Sequence, residues 1–337
     1  MSRAISLAVV GATGLVGEAL LALLADSDIK FSSIHALASD ESAGKRVEYA
    51  EKMLKVEALE SFDFSSVEVA IFAVPAAVSA QHSRAAAEQG CLALDLSGVW
   101  LADPSVPVWC AGVQDVDTEI LRETRLLSVM TGAAAVIAEY VHALSDLRPR
   151  LASSVVLLPA SAGGRDAVED LARQTARLLS SQDPEPGIFP APSAFAVFSA
   201  GVSATGSGPV APEQTAQVGL SRLRALAAVQ NTVQVSWVPS FFGMSLGITV
   251  HCEQPVSADV AAQMLEQAGM PPVSAELGRE PVTLTGELPE RSAKVANLAV
   301  GGVGGNQLSS WIGVDNVRYG AAFKGVQILQ LLIKDYL

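Results

Sequence analysis

Covalent catalysis needs a thiol or hydroxyl with a base beside it. This chain offers three cysteines (Cys91, Cys110, Cys252) and four histidines (His35, His82, His142, His251). Only His251 and Cys252 are neighbours, at the end of the strand-like run Leu246 to His251. Successive side chains on a strand point to opposite faces, so that pair cannot form a dyad. Cys91 follows Gly90 at a strand start and Cys110 follows Trp109; both read as packed small hydrophobes. Thr131, with His142 on the helix that follows, is the remaining hydroxyl and base. His35 and His82 read as surface or core residues without a role. No Cys/His grouping has zinc spacing, so no metal is expected.

A second chemistry is signalled near the start of the chain. Gly11-Ala12-Thr13-Gly14-Leu15-Val16-Gly17 follows the apolar run Ile5 to Val10 and precedes a helix-forming stretch. Glycines there let backbone amides at a helix N-terminus approach a pyrophosphate closely. Gly11, Thr13, Gly14, Leu15 and Val16 are therefore candidate dinucleotide contacts, the alternative being a tight turn ahead of a buried helix. A second strand, Ile34 to Ala38, leads into Ser39-Asp40-Glu41-Ser42-Ala43-Gly44-Lys45. An acidic residue after that strand accepts hydrogen bonds from the adenosine ribose and repels the extra phosphate of NADP. Asp40 and Glu41 thus favour NAD over NADP, with Lys45 a partial offset, and Ser39, Glu41 and Ser42 complete the candidate set. A solvated acidic loop is the alternative for this segment.

These turns need a scaffold. Further strands at Val67 to Val74 and Leu92 to Leu96, with a helix at Ser79 to Gln89, make the N-terminal part a Rossmann-type doubly wound α/β sheet. The later part reads as α+β. It has strands at Ser153 to Leu158, Val233 to Val238 and Leu246 to His251, and helices at Arg165 to Ser180, Glu213 to Val229 and Ser257 to Ala268. Ser181 to Pro192 reads as a Pro-rich loop and Gly201 to Pro212 as irregular chain; Tyr319 to Leu337 reads as the last helix. The expected division is residues 1–128, completed by 315–337, and residues 129–314.

The 337 residues carry a net charge of −13, which argues against nucleic acid or an anionic membrane as partner. No apolar run reaches the roughly 18 residues that span a bilayer. Gly11, Gly14 and Gly17 interrupt the N-terminal apolar stretch, so it reads as strand and helix rather than as a secretory signal. The cysteines lack paired spacing, as in a reduced, cytoplasmic protein.

In this order along the chain, several motifs together resemble aspartate-semialdehyde dehydrogenase. They are the Gly11 to Gly17 turn, Ser42-Ala43-Gly44-Lys45, Asp103-Pro104 with Val106-Pro107, and Ala160-Ser161-Ala162-Gly163-Gly164. Val238-Pro239 with Gly243, and Asp315-Asn316-Val317-Arg318-Tyr319-Gly320-Ala321-Ala322 with Val326-Gln327, complete the set. The resemblance implies a reversible, NADPH-linked reduction of β-aspartyl phosphate to aspartate semialdehyde in amino-acid biosynthesis. It implies a cysteine that forms the acyl thioester and a histidine that moves protons. It also implies a homodimer built on the second domain's sheet.

Laid over this chain, the resemblance removes those groups. The cysteine falls on Ala135, or on Ala134 or Ala133 if the alignment slips, and the following glutamine on Glu139. The catalytic histidine falls on Met244 and the arginine that opens its strand on Trp237. A further arginine falls on Leu101, a lysine on Ala216, and the arginine facing the extra phosphate of NADP on Glu41. Losing a nucleophile alone costs on the order of 10⁶ in turnover. The expected function is a catalytically silent, dimeric binding or regulatory protein with a nicotinamide dinucleotide fold. The alternative is an oxidoreductase acting on an altered aldehyde or acyl substrate, with a small, less charged ligand in an apolar pocket.

Overall fold

A computed structural model describes residues 3–185, 187–189, 191–200, 211–272 and 288–336. It divides into two compact units, Met1–Thr131 with Ala321–Leu337, and Gly132–Gly320. The first unit contains β1 (Ile5–Val10), α1 (Leu15–Ala25), β2 (Phe31–Ala38), β3 (Arg46–Tyr49), β4 (Lys52–Ala58) and β5 (Val69–Phe72). It continues with α2 (Ala76–Glu88), β6 (Leu92–Asp95), β7 (Val108–Trp109), α3 (Thr118–Thr124) and β8 (Leu126–Val129). The second unit carries α4 (Gly132–Ala143), β9 (Pro149–Leu158), α5 (Arg165–Leu179), β10 (Phe198–Ser199) and α6 (Pro212–Ser221). Then come β11 (Gln230–Trp237), β12 (Met244–Cys252), α7 (Ala258–Gln267), β13 (Lys294–Gly301) and β14 (Gln307–Val314), and α8 (Phe323–Asp335) returns to the first unit.

The first unit is a doubly wound sheet of order β3-β4-β2-β1-β5-β6-β8-β7, parallel except for the β3–β4 pair. Both of its faces are covered, which is why β1 reads as an apolar run broken only by Ser6. Ile5, Leu7 and Val9 pack with Leu20, Leu21 and Leu24 of α1 and Ile328, Leu329 and Leu332 of α8. Ala8 and Val10 join Phe64, Phe72 and Ala86 in the core on the other face. Strand order reverses between β1 and β5, the crevice where such sheets hold ligands.

The second unit is a six-stranded mixed sheet of order β10-β11-β9-β12-β14-β13. Its inner face buries Val156, Leu246, Ile248, Val250, Leu308 and Ile312. The outer face carries polar cross-strand pairs, Thr232 to Ser153 at 3.0 Å and Thr249 to Ser309 at 3.1 Å, beside the exposed Val155. The Trp311 ring lies over Gly247 on its paired strand.

Several elements differ from their sequence reading. The Glu213 to Val229 helix stops at Ser221 and a short 3₁₀ turn follows. Leu220, Leu223 and Leu226 stay buried at three-residue spacing through both, so periodicity alone merges them. The last helix starts at Phe323, after a wider π turn over Arg318–Ala322. The β3–β4 hairpin turns on Ala50 and Glu51 at φ 47° and 62°, without the Asn or Gly that marks such a turn in sequence. Most of the Gly201 to Pro212 stretch and the final Leu337 lie outside the described residues.

Candidate functional site

In the first unit the chain leaves β1 through Gly11, whose φ of +87° an L side chain rarely adopts. Gly11 and Ala12 both donate to the Leu37 carbonyl, at 2.8 and 3.0 Å, and Gly14 donates to Gly11 O at 2.9 Å. α1 then begins with Gly14 as its N-cap, and no side chain caps it. Thr13, Leu15 and Val16 are half-buried around this uncapped N-terminus, which is the geometry that receives phosphate.

The glycines do not all serve a ligand. A Cβ on Gly11 would lie 2.4 Å from Ala73 O, and one on Gly17 2.1 Å from Gly11 O. Both positions are required by the fold itself. Only Gly14, whose Cβ would meet Gly11 O at 3.3 Å, is free of a hard backbone clash.

Beyond β2, Ser39 extends the chain and Asp40–Ser42 form one exposed 3₁₀ turn, with Lys45 Nζ donating to Ser42 Oγ at 3.3 Å. An open cavity of about 440 Å³ follows, lined by Ala43, Gly44, Lys55, Val56, Glu57 and Ala58. On α8, the buried Gln327 Oε1 accepts no hydrogen bond among the described residues. The uncapped amides, the cavity past the acidic turn and the orphaned amide oxygen fit a dinucleotide. Its pyrophosphate would meet the start of α1 at Leu15 and Val16, past Gly14, and its adenosine ribose Ser39 to Ser42.

At the end of β6, Asp95 is fully buried and accepts from the Ser79 and Ser97 hydroxyls and the Ser97 and Gly98 amides. Burial pushes its carboxyl up while those donors pull it down. The network holds the Ser97–Gly98 turn, next to Leu96, whose carbonyl accepts from Thr131 Oγ1 at 2.9 Å. The Thr131 hydroxyl therefore donates to a carbonyl, not to a base. Leu101 is buried, and the cation at that corner is Arg84, stacked over Trp100 at 4.4 Å and paired with Asp103 at 2.7 Å.

In the second unit, Ala133, Ala134 and Ala135 form the first turn of α4 after Gly132 at φ +61°. A helix N-terminus lowers a thiol's pKa; the first turn of α4 carries alanines there and no sulfur. Glu139, one turn beyond Ala135, accepts the Tyr319 hydroxyl proton at 2.6 Å. Trp237 ends β11 opposite Leu158, and Met244, fully buried, opens β12 opposite Val314. Trp237 and Met244 thus lie at one end of the sheet.

The loops leaving that end are stitched together. Ala160 and Ser161 amides donate to Ser240 O and Phe241 O, at 2.8 and 3.0 Å. Asn316 Oδ1 accepts both the Ser161 hydroxyl (3.2 Å) and the Gly243 amide (3.1 Å). Sequence motifs contain Ser161, Gly243 and Asn316, but only the fold shows that one amide oxygen joins three segments.

No substitute nucleophile emerges from these side chains. Cys91, Cys110 and Cys252 are all buried. Burial pushes the Cys91 thiol up to about 12, and also raises that of Cys252. His251 is half-buried while Cys252 is buried, across an irregularity in the strand register between them. His35 and His82 pair with Glu57 and Glu60 at 2.9 and 3.2 Å. Nδ1 of His142 is buried with no partner among the described residues. Those residues contain no group of three or more metal-ligating side chains. Native protein treated with a disulfide reagent at pH 8 is expected to react at least about 10³-fold slower than free thiol. Three equivalents should be released only after denaturation. Release of a full equivalent from folded protein would identify a thiol that the structure places out of reach.

Residues 6–123 match the semialdehyde dehydrogenase NAD-binding domain and residues 146–319 the semialdehyde dehydrogenase dimerisation domain. A USG-1 protein homolog from Pseudomonas aeruginosa is 35% identical, with all of both chains covered. A solved structure described as a probable aspartate-semialdehyde dehydrogenase from Pseudomonas aeruginosa superposes with a TM-score of 0.89 at 35% identity, covering 99% of this chain and 100% of that one. Aspartate semialdehyde dehydrogenase II from Vibrio cholerae shares the fold at TM-score 0.90 and 24% identity, with 100% of both chains covered.

Proposed function

The chain belongs to the semialdehyde dehydrogenase family, and from that premise we propose that it binds a nicotinamide dinucleotide but does not catalyse the family's reaction. The observation that carries the reading is the first turn of α4, three alanines where the resemblance requires a thiolate, with every cysteine of the chain buried elsewhere. Met244 in place of the base, and Trp237 and Ala216 in place of cations, support it. The role that remains is a binding or regulatory one in a homodimer. The dimerisation-domain match supports that assembly, and the outer face of the six-stranded sheet, with Val155, Trp311 and its Ser/Thr pairs, is the surface for a second copy. No helix among the described residues is long and apolar enough to cross a membrane, and reduced buried thiols fit a cytoplasmic location.

When bound, the dinucleotide would supply a hydride acceptor or donor. This chain's own residues would hold it, through the Leu15 and Val16 amides at the start of α1 and through Gln327 Oε1, which as an acceptor suits an amide N–H. A second reading draws on that same orphaned oxygen: an oxidoreductase with an altered, less charged aldehyde or acyl substrate, in or near amino-acid biosynthesis.

Calorimetric titration with NAD⁺, NADP⁺, NADH and NADPH tests the proposal. Binding with NAD preferred is expected, because the exposed Asp40 and Glu41 repel a third phosphate. The Glu41→Arg variant should shift the NADP/NAD affinity ratio towards NADP by about tenfold. No heat with any of the four would remove dinucleotide binding, and an unchanged ratio in the variant would remove the adenosine-end assignment.

A further inference from the structure

We infer that the loop after α5 is the standing occupant of the second unit's site: Phe189, latched to α5, fills the space beside Trp237, so that a ligand enters there only where Phe189 is absent. The inference rests on the reading that Trp237 stands at the position of the family's substrate arginine.

The rings come first. Phe189 is only 9% exposed although it lies in a Pro-rich loop. Its ring centroid is 4.8 Å from that of Trp237, tilted by 58°, and 5.8 Å from that of Phe198. Its edge lies against Gly163, 3.5 Å from where a Cβ there would sit. Gly163 belongs to the Ala160–Gly163 turn, the turn that Asn316 and the Pro239–Gly243 loop bind through Ala160 and Ser161. Phe189 therefore packs against segments that frame the degenerate site.

The latch comes second. Asp170 and Gln174 are one turn apart on α5 and are 2% and 1% exposed. Asp170 Oδ2 accepts the Ile188 amide at 3.1 Å and the Gln174 side-chain amide at 3.0 Å. Gln174 Oε1 accepts the Ser193 and Ala194 amides, at 2.8 and 3.3 Å. Arg173 pairs with the same carboxylate. A Cβ on Gly187 would lie 1.9 Å from Asp170 Oδ2, so the chain must pass directly over the carboxylate and only glycine fits. A buried carboxylate and amide whose acceptors serve one loop leave costly unpaired groups if that loop lifts. The closed position is therefore specified by the sequence of α5 and the loop together. With the loop in place, the Phe189 ring takes the space against the Trp237 ring.

The test uses benzene as the probe and the unfolding temperature of full-length protein as the readout. Deleting a buried ring leaves an apolar cavity that stays dry and takes up benzene. Native protein is expected to show no dose-dependent shift. Phe189→Ala should show a rise of about 2 °C at saturating benzene. Equal responses from both proteins would overturn the inference. So would no response from a Phe189→Ala variant whose loop amides still exchange at native rates. Should Phe189→Ala fail to fold, Asp170→Asn is read instead: hydrogen exchange across residues 187–194 should quicken at least about tenfold with cooperative unfolding retained. Native exchange rates in that variant would also overturn the latch. The underlying assignment is checked separately, by malonate binding to Phe189→Ala/Trp237→Arg. Benzene uptake by Phe189→Ala with no malonate gain in the double variant supports the plug and overturns the arginine assignment. Malonate gain supports both.

Discussion

Purified protein supplied with aspartate semialdehyde, phosphate and either NAD⁺ or NADP⁺ is expected to form no reduced cofactor above the uncatalysed background. The reaction of the family to which this chain is similar needs a nucleophile to form an acyl intermediate and a base to move its proton. Loss of the nucleophile alone is worth on the order of 10⁶ in turnover, and loss of the acid–base group about 10²–10⁴. These losses are not additive within one catalytic unit, but the first is sufficient. Ala135 is fully buried within α4 and Met244 fully buried at the start of β12, so neither position offers a polar atom to substrate. Restoring the thiol alone, as Ala135→Cys, is expected to leave turnover at background, because no base stands at residue 244. Progress curves of reduced nicotinamide at several protein concentrations decide the matter. A saturable rate proportional to native protein would defeat the silent reading, and one from Ala135→Cys alone would show that another group supplies the base.

Replacing Gly17 or Gly11 with alanine is expected to cost about 3 kcal/mol or more of the first unit's stability. Both clashes are with backbone oxygen, 2.1 Å at Gly17 and 2.4 Å at Gly11, so no side chain can swing aside. Gly11→Ala adds strain of about 1–2 kcal/mol from its left-handed φ. Gly14→Ala is different: φ is −84° and the nearest atom is 3.3 Å away. It should cost about 1 kcal/mol or less, mostly as a poorer N-cap, while its methyl group stands at the mouth of the α1 amides and weakens dinucleotide binding. Denaturant melts of the three variants, with dinucleotide titration of Gly14→Ala, separate the roles. If all three melted alike, backbone packing would not be what holds Gly11 and Gly17. If Gly14→Ala bound dinucleotide as native protein does, the turn would be a fold element only.

This separation limits what a glycine pattern says in sequence. The Gly11 to Gly17 spacing identifies the strand, turn and helix because two of its glycines are packing contacts of that supersecondary unit. The same fact means that they would persist whether or not a ligand binds. The third, Gly14, is the informative one, and spacing cannot tell it from its neighbours. Asn316 is a parallel case: the motif Asp315 to Ala322 is visible as a string, but the role of its amide oxygen depends on Ser161 and Gly243, far away in the chain. The β3–β4 hairpin was illegible because Ala50 and Glu51 adopt positive φ under tertiary constraint, against their own preferences.

What the sequence determined by itself was the residue inventory and its local patterning. The apolar run of β1, the glycine turn, the acidic segment after β2 and the absence of a thiol in residues 131–136 need no coordinates, because each is a matter of residue type at short spacing. Tertiary structure alone decided which atoms meet across long separations. It placed Phe189 on Trp237, Gln174 under Ser193 and Tyr319 on Glu139. Local preferences act over a few residues, whereas contacts such as these are selected by burial and by the satisfaction of buried polar groups over the whole unit.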